Sequence, residues 1–314
     1  MRLLKNPVGL MLNFNSEVLR TGIRRLVIWQ GSLTTENEKR RLTASVPRCV
    51  VDKRRRTDSR CRLQGAGRKH LVLLLTVTGA SLAPTVDAAA QARTVRMPTS
   101  YGVDRIFAIL LPTSYETSQA RYPVVYLFHG GGQDHTAFMA RTAFAPMARK
   151  HEFIVVMPAA DRSYSALGPE AQGRYHDYVA RELVDYVDSH YRTIPTRDRR
   201  AIGGLSMGGR IATMTALRHA DRFSAVGAFS PALRPDAENA VNNVPAAAPF
   251  IYISCGTLDT LLSINREFVG WLMERELPHE YREAPGLGHV WTLWDEQIAV
   301  FFDLLDLRGF TSTP

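Results

Sequence analysis

The run Tyr122-Pro-Val-Val-Tyr-Leu-Phe128 is continuously apolar and built from β-branched and aromatic residues, the pattern of a strand covered on both faces. Further strands are read at Phe153-Ile-Val-Val-Met157, Arg200-Ala-Ile-Gly203, Ala225-Val-Gly-Ala-Phe229, Pro249-Phe-Ile-Tyr-Ile-Ser-Cys255 and, in a more polar stretch, His279-Glu-Tyr-Arg-Glu283. Helical stretches at 137–150, 175–191, 210–218, 264–276 and 291–307 separate them, and a Pro/Ala/Asn-rich connector fills 230–248. Strands alternating with helices of this length imply a parallel sheet with helices on both faces. Two alternating stretches, Thr94-Val-Arg-Met97 and Arg105-Ile-Phe-Ala-Ile-Leu-Leu111, read as opening antiparallel strands. The expected fold class is therefore α/β, with a mostly parallel central sheet and one domain over 91–314.

The strand at 200–203 runs directly into Gly204-Leu205-Ser206-Met207-Gly208, a G-x-S-x-G sequence that opens a helix. A serine on so sharp a strand-to-helix turn needs flanking residues without Cβ atoms, and its hydroxyl then stands above the sheet edge. A glycine-rich loop with an incidental serine also fits these five residues taken alone. A serine hydroxyl is a weak nucleophile until an imidazole takes its proton and a carboxylate holds that imidazole in one tautomer. The turn therefore predicts an acid and then a histidine further along, each after the C-terminal end of a strand. Asp259 follows the run ending at Cys255, and His289 lies in Gly286-Leu-Gly-His289 before the last helix. Asp259 also suits a helix cap, a role compatible with pairing to a histidine. Upstream, His129-Gly-Gly-Gly-Gln-Asp134 follows the strand 122–128, where glycine N–H groups can point above the sheet, as an oxyanion hole requires. His129 is read as shaping that loop.

The net charge of +9 suggests a nucleic-acid binder, but its distribution does not. Up to Lys69 there are 17 Lys and Arg against 5 Asp and Glu, whereas the remainder holds 22 basic and 25 acidic residues. A folded nucleic-acid binder carries its basic patch on the folded domain. Residues 1–66 read as a disordered basic extension or an over-extended gene start, and 67–90 as a secretory leader: a cationic start, a short apolar run, and small residues at Asp87-Ala-Ala-Ala-Gln91. Export follows from that reading, with no stable membrane anchor. Of the three cysteines, Cys49 and Cys61 fall in the extension, which leaves Cys255 as a buried, inert thiol. No His and Cys cluster at ligand spacing suggests a metal, and no cofactor is expected.

From about Val103 to Leu307 the chain resembles the putative esterase family of α/β-hydrolases, which includes esterase D-type enzymes, feruloyl and acetyl-xylan esterases of carbohydrate esterase family 1, and mycolyltransferases. The matching residues are Tyr122 to Gly130, Gly203-Gly-Leu-Ser-Met-Gly-Gly209, Cys255-Gly-Thr-Leu-Asp259 and Gly288-His-Val-Trp-Thr-Leu-Trp294. The resemblance implies a triad of Ser206, Asp259 and His289, with oxyanion donors at the N–H groups of Gly131 and Met207. It also implies a small-molecule or polysaccharide-linked ester as substrate. Gly-Gly-Gln-Asp after Gly130 departs from the Leu-Thr-Cys typical of S-formylglutathione hydrolases, which lowers that reading. Acyl transfer to a sugar, and a carbohydrate-binding module without turnover, stay open beside hydrolysis. Tyr164, Tyr175, Trp291 and Trp294 are candidates for an aryl acyl pocket; packing competes with that role, since the two tryptophans open a helix at i, i+3 spacing.

Overall fold

The computed structural model describes residues 92–141, 143–160, 164–245 and 247–313. The extension expected at 1–66, the leader expected at 67–90, and Cys49 and Cys61 lie outside them. The strands are β1 (Arg93–Met97), β2 (Arg105–Leu110), β3 (Val124–Phe128), β4 (Ile154–Pro158), β5 (Arg200–Leu205), β6 (Ala225–Phe229), β7 (Phe250–Gly256) and β8 (His279–Ala284). They form one sheet in the order β1-β2-β4-β3-β5-β6-β7-β8. β1 with β2 and β2 with β4 are antiparallel, and every other pairing is parallel. The α/β reading holds, with the antiparallel opening at one edge of an otherwise parallel sheet.

Alternation along β3 explains the two-sided core. Val124, Tyr126 and Phe128 enter one apolar layer with Ile202, Val226 and Ile251, while Val125 and Leu127 enter the other with Ala201, Phe229 and Tyr252. The first layer is covered by α2 (Pro169–Asp177), a π-helical segment Tyr178–Leu183, α4 (Met207–Arg218) and α6 (Leu262–Glu274), and the second by α1 (Phe144–Ala148) and α7 (Trp291–Leu307). α3 (Val184–His190) continues the π-helical segment, so one helical stretch runs from Pro169 to His190. Pro169 sits in the first turn, where its missing N–H costs no hydrogen bond.

The helix expected over 137–150 is confined to Phe144–Ala148, preceded by turns. Pro146 explains the difference: a proline is tolerated in the first turn but cannot sit deeper in a helix, so none can run through from residue 137. The connector 230–248 holds a helix of its own, α5 (Asp236–Asn242).

Candidate active site

Every residue from Ala201 to Arg210 is buried except Ser206. The exception has a backbone cause. Ser206 has φ of 54° and ψ of −117°, a conformation that L-residues rarely adopt and that costs on the order of 1–3 kcal/mol. Three hydrogen bonds hold it: Ser206 N–H donates to Phe229 C=O at 2.9 Å, and Ser206 C=O accepts from Arg210 N–H at 3.1 Å and Ala232 N–H at 2.9 Å. A Cβ on Gly208 would stand 2.2 Å from the Phe128 carbonyl oxygen, so the motif's second glycine is what lets α4 approach β3. Because β5 is parallel to its neighbours, Ser206 projects from the same sheet edge at which β7 and β8 end.

Asp259 and His289 come from the loops after β7 and β8. The two loops touch: Leu258 N–H donates to Leu287 C=O at 2.9 Å, and a Cβ on Gly256 would lie 2.1 Å from that same oxygen. The result is a hydrogen bond of 2.8 Å between His289 Nδ1 and Asp259 Oδ2. The Asp259 side chain is fully buried and that of His289 is 33% exposed. Asp259 Oδ1 also accepts the Leu261 N–H at 2.9 Å, a turn that leads into α6 and fixes the carboxylate's orientation. The carboxylate accepts at Nδ1, so the neutral ring carries its proton there and leaves Nε2 as the basic nitrogen. Trp294 backs the imidazole edge-on, with centroids 4.9 Å apart.

The glycine loop after β3 is braced from within. His129 Nδ1 donates to Gly130 C=O at 2.8 Å and His129 Nε2 accepts the Ala160 N–H at 2.9 Å, so its hydrogen bonds run to loop backbone. Gln133 Oε1 accepts the Gly130 N–H at 2.9 Å, while Gln133 N–H donates back to Gly130 C=O at 3.3 Å. The sequence reading does not single out Gln133; its spacing of three from Gly130, within reach of a turn, was the available signal. The first intrahelical bond of α4 is Arg210 N–H to Ser206 C=O, which leaves the N–H of Met207 without an acceptor inside the helix.

The four aromatic candidates separate into two pairs. Trp294 stands beside His289 and packs against Trp291, which helps line a cavity of about 320 Å³ with Gln133, Asp134 and Arg141. Tyr164 and Tyr175 are 0% and 4% exposed, which corrects their expected place in a substrate pocket. Their rings pack on each other with centroids 5.5 Å apart, and the Tyr164 hydroxyl bonds His176 Nε2 at 2.9 Å. His176 Nδ1 in turn meets Thr215 Oγ1 of α4 at 2.8 Å. Burial drives the His176 pKa down to about 3, so the ring is neutral. Nearby, Arg210 bonds both Asp236 oxygens at 2.9 and 2.7 Å and Gln172 Oε1 at 3.1 Å, tying α4 to α5 and α2. These tethers are structural, and they were not anticipated because their partners lie 12 to 39 residues apart.

Among the described residues, no group of three His, Cys, Asp or Glu side chains could hold a metal ion, and no helix is long and apolar enough to cross a membrane.

Comparison with known proteins supplies the family. Residues 99–302 match the family described as Putative esterase. An acetyl esterase of Caldicellulosiruptor saccharolyticus is 23% identical over 217 residues, covering 57% of this chain and 81% of that protein. Against three longer curated relatives the chain spans only 27 or 28% of their length. A solved ferulic acid esterase superposes with a TM-score of 0.60 at 24% identity, covering 69% of this chain and 98% of the other. An S-formylglutathione hydrolase from Agrobacterium tumefaciens also gives 0.60, at 18% identity, covering 69% and 95%. The α/β-hydrolase fold is common to these structures, and the chain belongs to the putative esterase family as a carboxylic ester hydrolase.

Proposed function

We propose that the protein is an exported serine esterase that works through an acyl-enzyme on Ser206, with acetyl or feruloyl esters of sugars as its substrates. One observation carries the catalytic part: the 2.8 Å bond between His289 Nδ1 and buried Asp259, on the sheet edge where Ser206 is held at positive φ. His289 Nε2 takes the hydroxyl proton as Ser206 Oγ attacks the ester carbonyl carbon. The carbonyl oxygen becomes an oxyanion, received by the N–H groups of Gly131 and Met207. Each donor is worth about 100- to 1,000-fold in rate. Collapse of the intermediate breaks the C–O bond, and the imidazolium returns its proton to the departing alcohol. Water then attacks the acyl-enzyme with His289 again as base, releasing the acid and restoring Ser206. Asp259 stabilises the imidazolium in both halves.

The substrate class is supported by the acetyl esterase relative and the ferulic acid esterase fold match. Export rests on the leader-like pattern at 67–90. Purified enzyme assayed on p-nitrophenyl acetate, methyl ferulate, acetylated xylan and S-formylglutathione tests both parts. Ser206→Ala is expected to abolish hydrolysis and fluorophosphonate labelling. Retained turnover sinks the serine assignment, and preference for S-formylglutathione sinks the sugar-ester one. N-terminal sequencing of protein from the native host tests export, with a mature start near residue 91 expected.

A further inference from the structure

A cavity lies far from Ser206, at the opposite edge of the sheet, where β5, β6 and β7 begin. Its volume is about 590 Å³, within the range of small-molecule sites, and Arg197, Arg199, Arg308, Phe250 and Phe310 are among its walls. The three arginines have different duties. Arg197 is committed to the protein: Nε and Nη2 donate to the carbonyls of Ala220, Ala247 and Ala248, and Nη1 pairs with Asp198 at 3.2 Å. Arg199 and Arg308 have no carboxylate within salt-bridge reach among the described residues. Among the described residues, Asp198 is the one acid that lines the cavity, and it is paired with Arg197, so the wall carries more cations than acids, a surplus that an anion would offset.

The position of Arg308 adds a second constraint. Its guanidinium lies over the Phe250 ring, 3.9 Å from the centroid. A guanidinium held over a ring in this way keeps N–H donors that can meet a planar or tetrahedral oxyanion. Arg308 also ends α7: Gly309 N–H bonds Asp306 C=O at 2.9 Å and Phe310 N–H bonds Leu305 C=O at 3.0 Å, with Gly309 at φ of 81°. That cap satisfies terminal carbonyls of the helix and fixes both Arg308 and Phe310 in place. Gly309 in turn lies against Arg199, since a Cβ placed on it would come within 3.8 Å of Nη1. Arg199 and Arg308 thus line one cavity, together with Phe250, Phe310 and Pro278.

We propose that this cavity binds a small amphiphilic anion, a carboxylate or phosphate carried on an aryl or alkyl body, at a site independent of ester hydrolysis. Arg199 and Arg308 hold the oxyanion, and the apolar lining of Phe250, Phe310 and Pro278 meets the body. A bare inorganic anion forfeits the second part, and a neutral aryl amide the first. Guanidinium–oxyanion bonds are charge-assisted, so affinity falls with salt.

The test is calorimetric titration of the full-length protein with 4-phenylbutanoate, phenyl phosphate, 4-phenylbutanamide and inorganic phosphate, after Ser206 has been blocked by a fluorophosphonate. Expected is saturable binding of the two aryl anions, at least tenfold tighter than of the amide or inorganic phosphate. Arg199→Gln with Arg308→Gln should weaken it at least tenfold while p-nitrophenyl acetate hydrolysis by the unblocked enzyme and the melting temperature stay near wild type. Equal binding of the amide, equal binding of inorganic phosphate, or undiminished affinity in the double variant overturns the proposal. Failure of the fluorophosphonate to label Ser206 would count against the hydrolase mechanism and not against this site.

Discussion

His289 and His176 are both bonded side chain to side chain, yet they serve opposite ends. His289 is a third exposed, has a buried carboxylate on Nδ1, and has no partner on Nε2 among the described residues. His176 is 2% exposed and spends both nitrogens on neutral hydroxyls, those of Tyr164 and Thr215. A carboxylate steadies the imidazolium that a general base must become, whereas two hydroxyls in a dry interior offer it nothing comparable. The proposed general base and the buried histidine thus differ in what their nitrogens touch and in their exposure to solvent. Ser206 and Cys255 repeat the contrast: the serine is lifted out of the sheet by its positive φ, while the thiol is fully buried and pushed up to about 12 by that burial.

The largest effect expected from this contrast is on rate. Ser206→Ala or His289→Ala should lower kcat by about 10⁴- to 10⁶-fold, and Asp259→Asn by about 10⁴-fold, with unfolding curves close to wild type. His176→Gln should leave kcat/KM within about threefold while costing about 1–3 kcal/mol of stability, through hydroxyls left without their partner. A comparable loss of rate in both histidine variants would erase the distinction.

The pH dependence of stability sharpens it. His176 takes up its proton near pH 3 in the folded chain against 6.5 ordinarily, so as pH falls the unfolded chain is protonated first. Its contribution is therefore complete above about pH 6.5 and declines below it by up to about 1.4 kcal/mol per pH unit until about pH 3. Urea denaturation at pH 7 and pH 5 should show that decline, and His176→Gln should flatten it. A smaller effect is due at the Arg210–Asp236 tether, where the guanidinium hydrogen bonds hold the Asp236 carboxyl below its ordinary 3.8. Since Asp236 is nearly half exposed, Asp236→Asn should cost about 1 kcal/mol at neutral pH. That advantage exists above the ordinary carboxylate value and disappears as pH drops through the lowered one. The smallest change concerns Cys255: at pH 8 iodoacetamide should leave it unmodified in the folded chain and alkylate it only in denaturant, as peptide mapping would show.

Much of this was legible in advance for a local reason. A strand buried on both faces, a glycine on each side of Ser206, and an acid or a histidine just after a later strand are each patterns confined to a few residues. The aromatic candidates show where that reading stops. Trp291 and Tyr164 look alike as residues near a loop, but Trp291 lines a cavity with Gln133 and Arg141 while Tyr164 is sealed against His176. Nothing near Tyr164 in the chain specifies the helix from which Thr215 meets that histidine. The helix expected from residue 137 failed for the converse reason, a local one passed over at Pro146.

The sequence by itself determined the alternation of strands and helices and the order Ser206, Asp259, His289, because periodicity and glycine chemistry act over a few bonds. Only the tertiary structure decided that the β7 and β8 loops touch, which histidine keeps a free nitrogen, and that Arg199 and Arg308 meet at the far edge of the sheet. Those outcomes depend on strand order and helix packing, which join residues far apart in the chain through burial and contact geometry that no short stretch encodes.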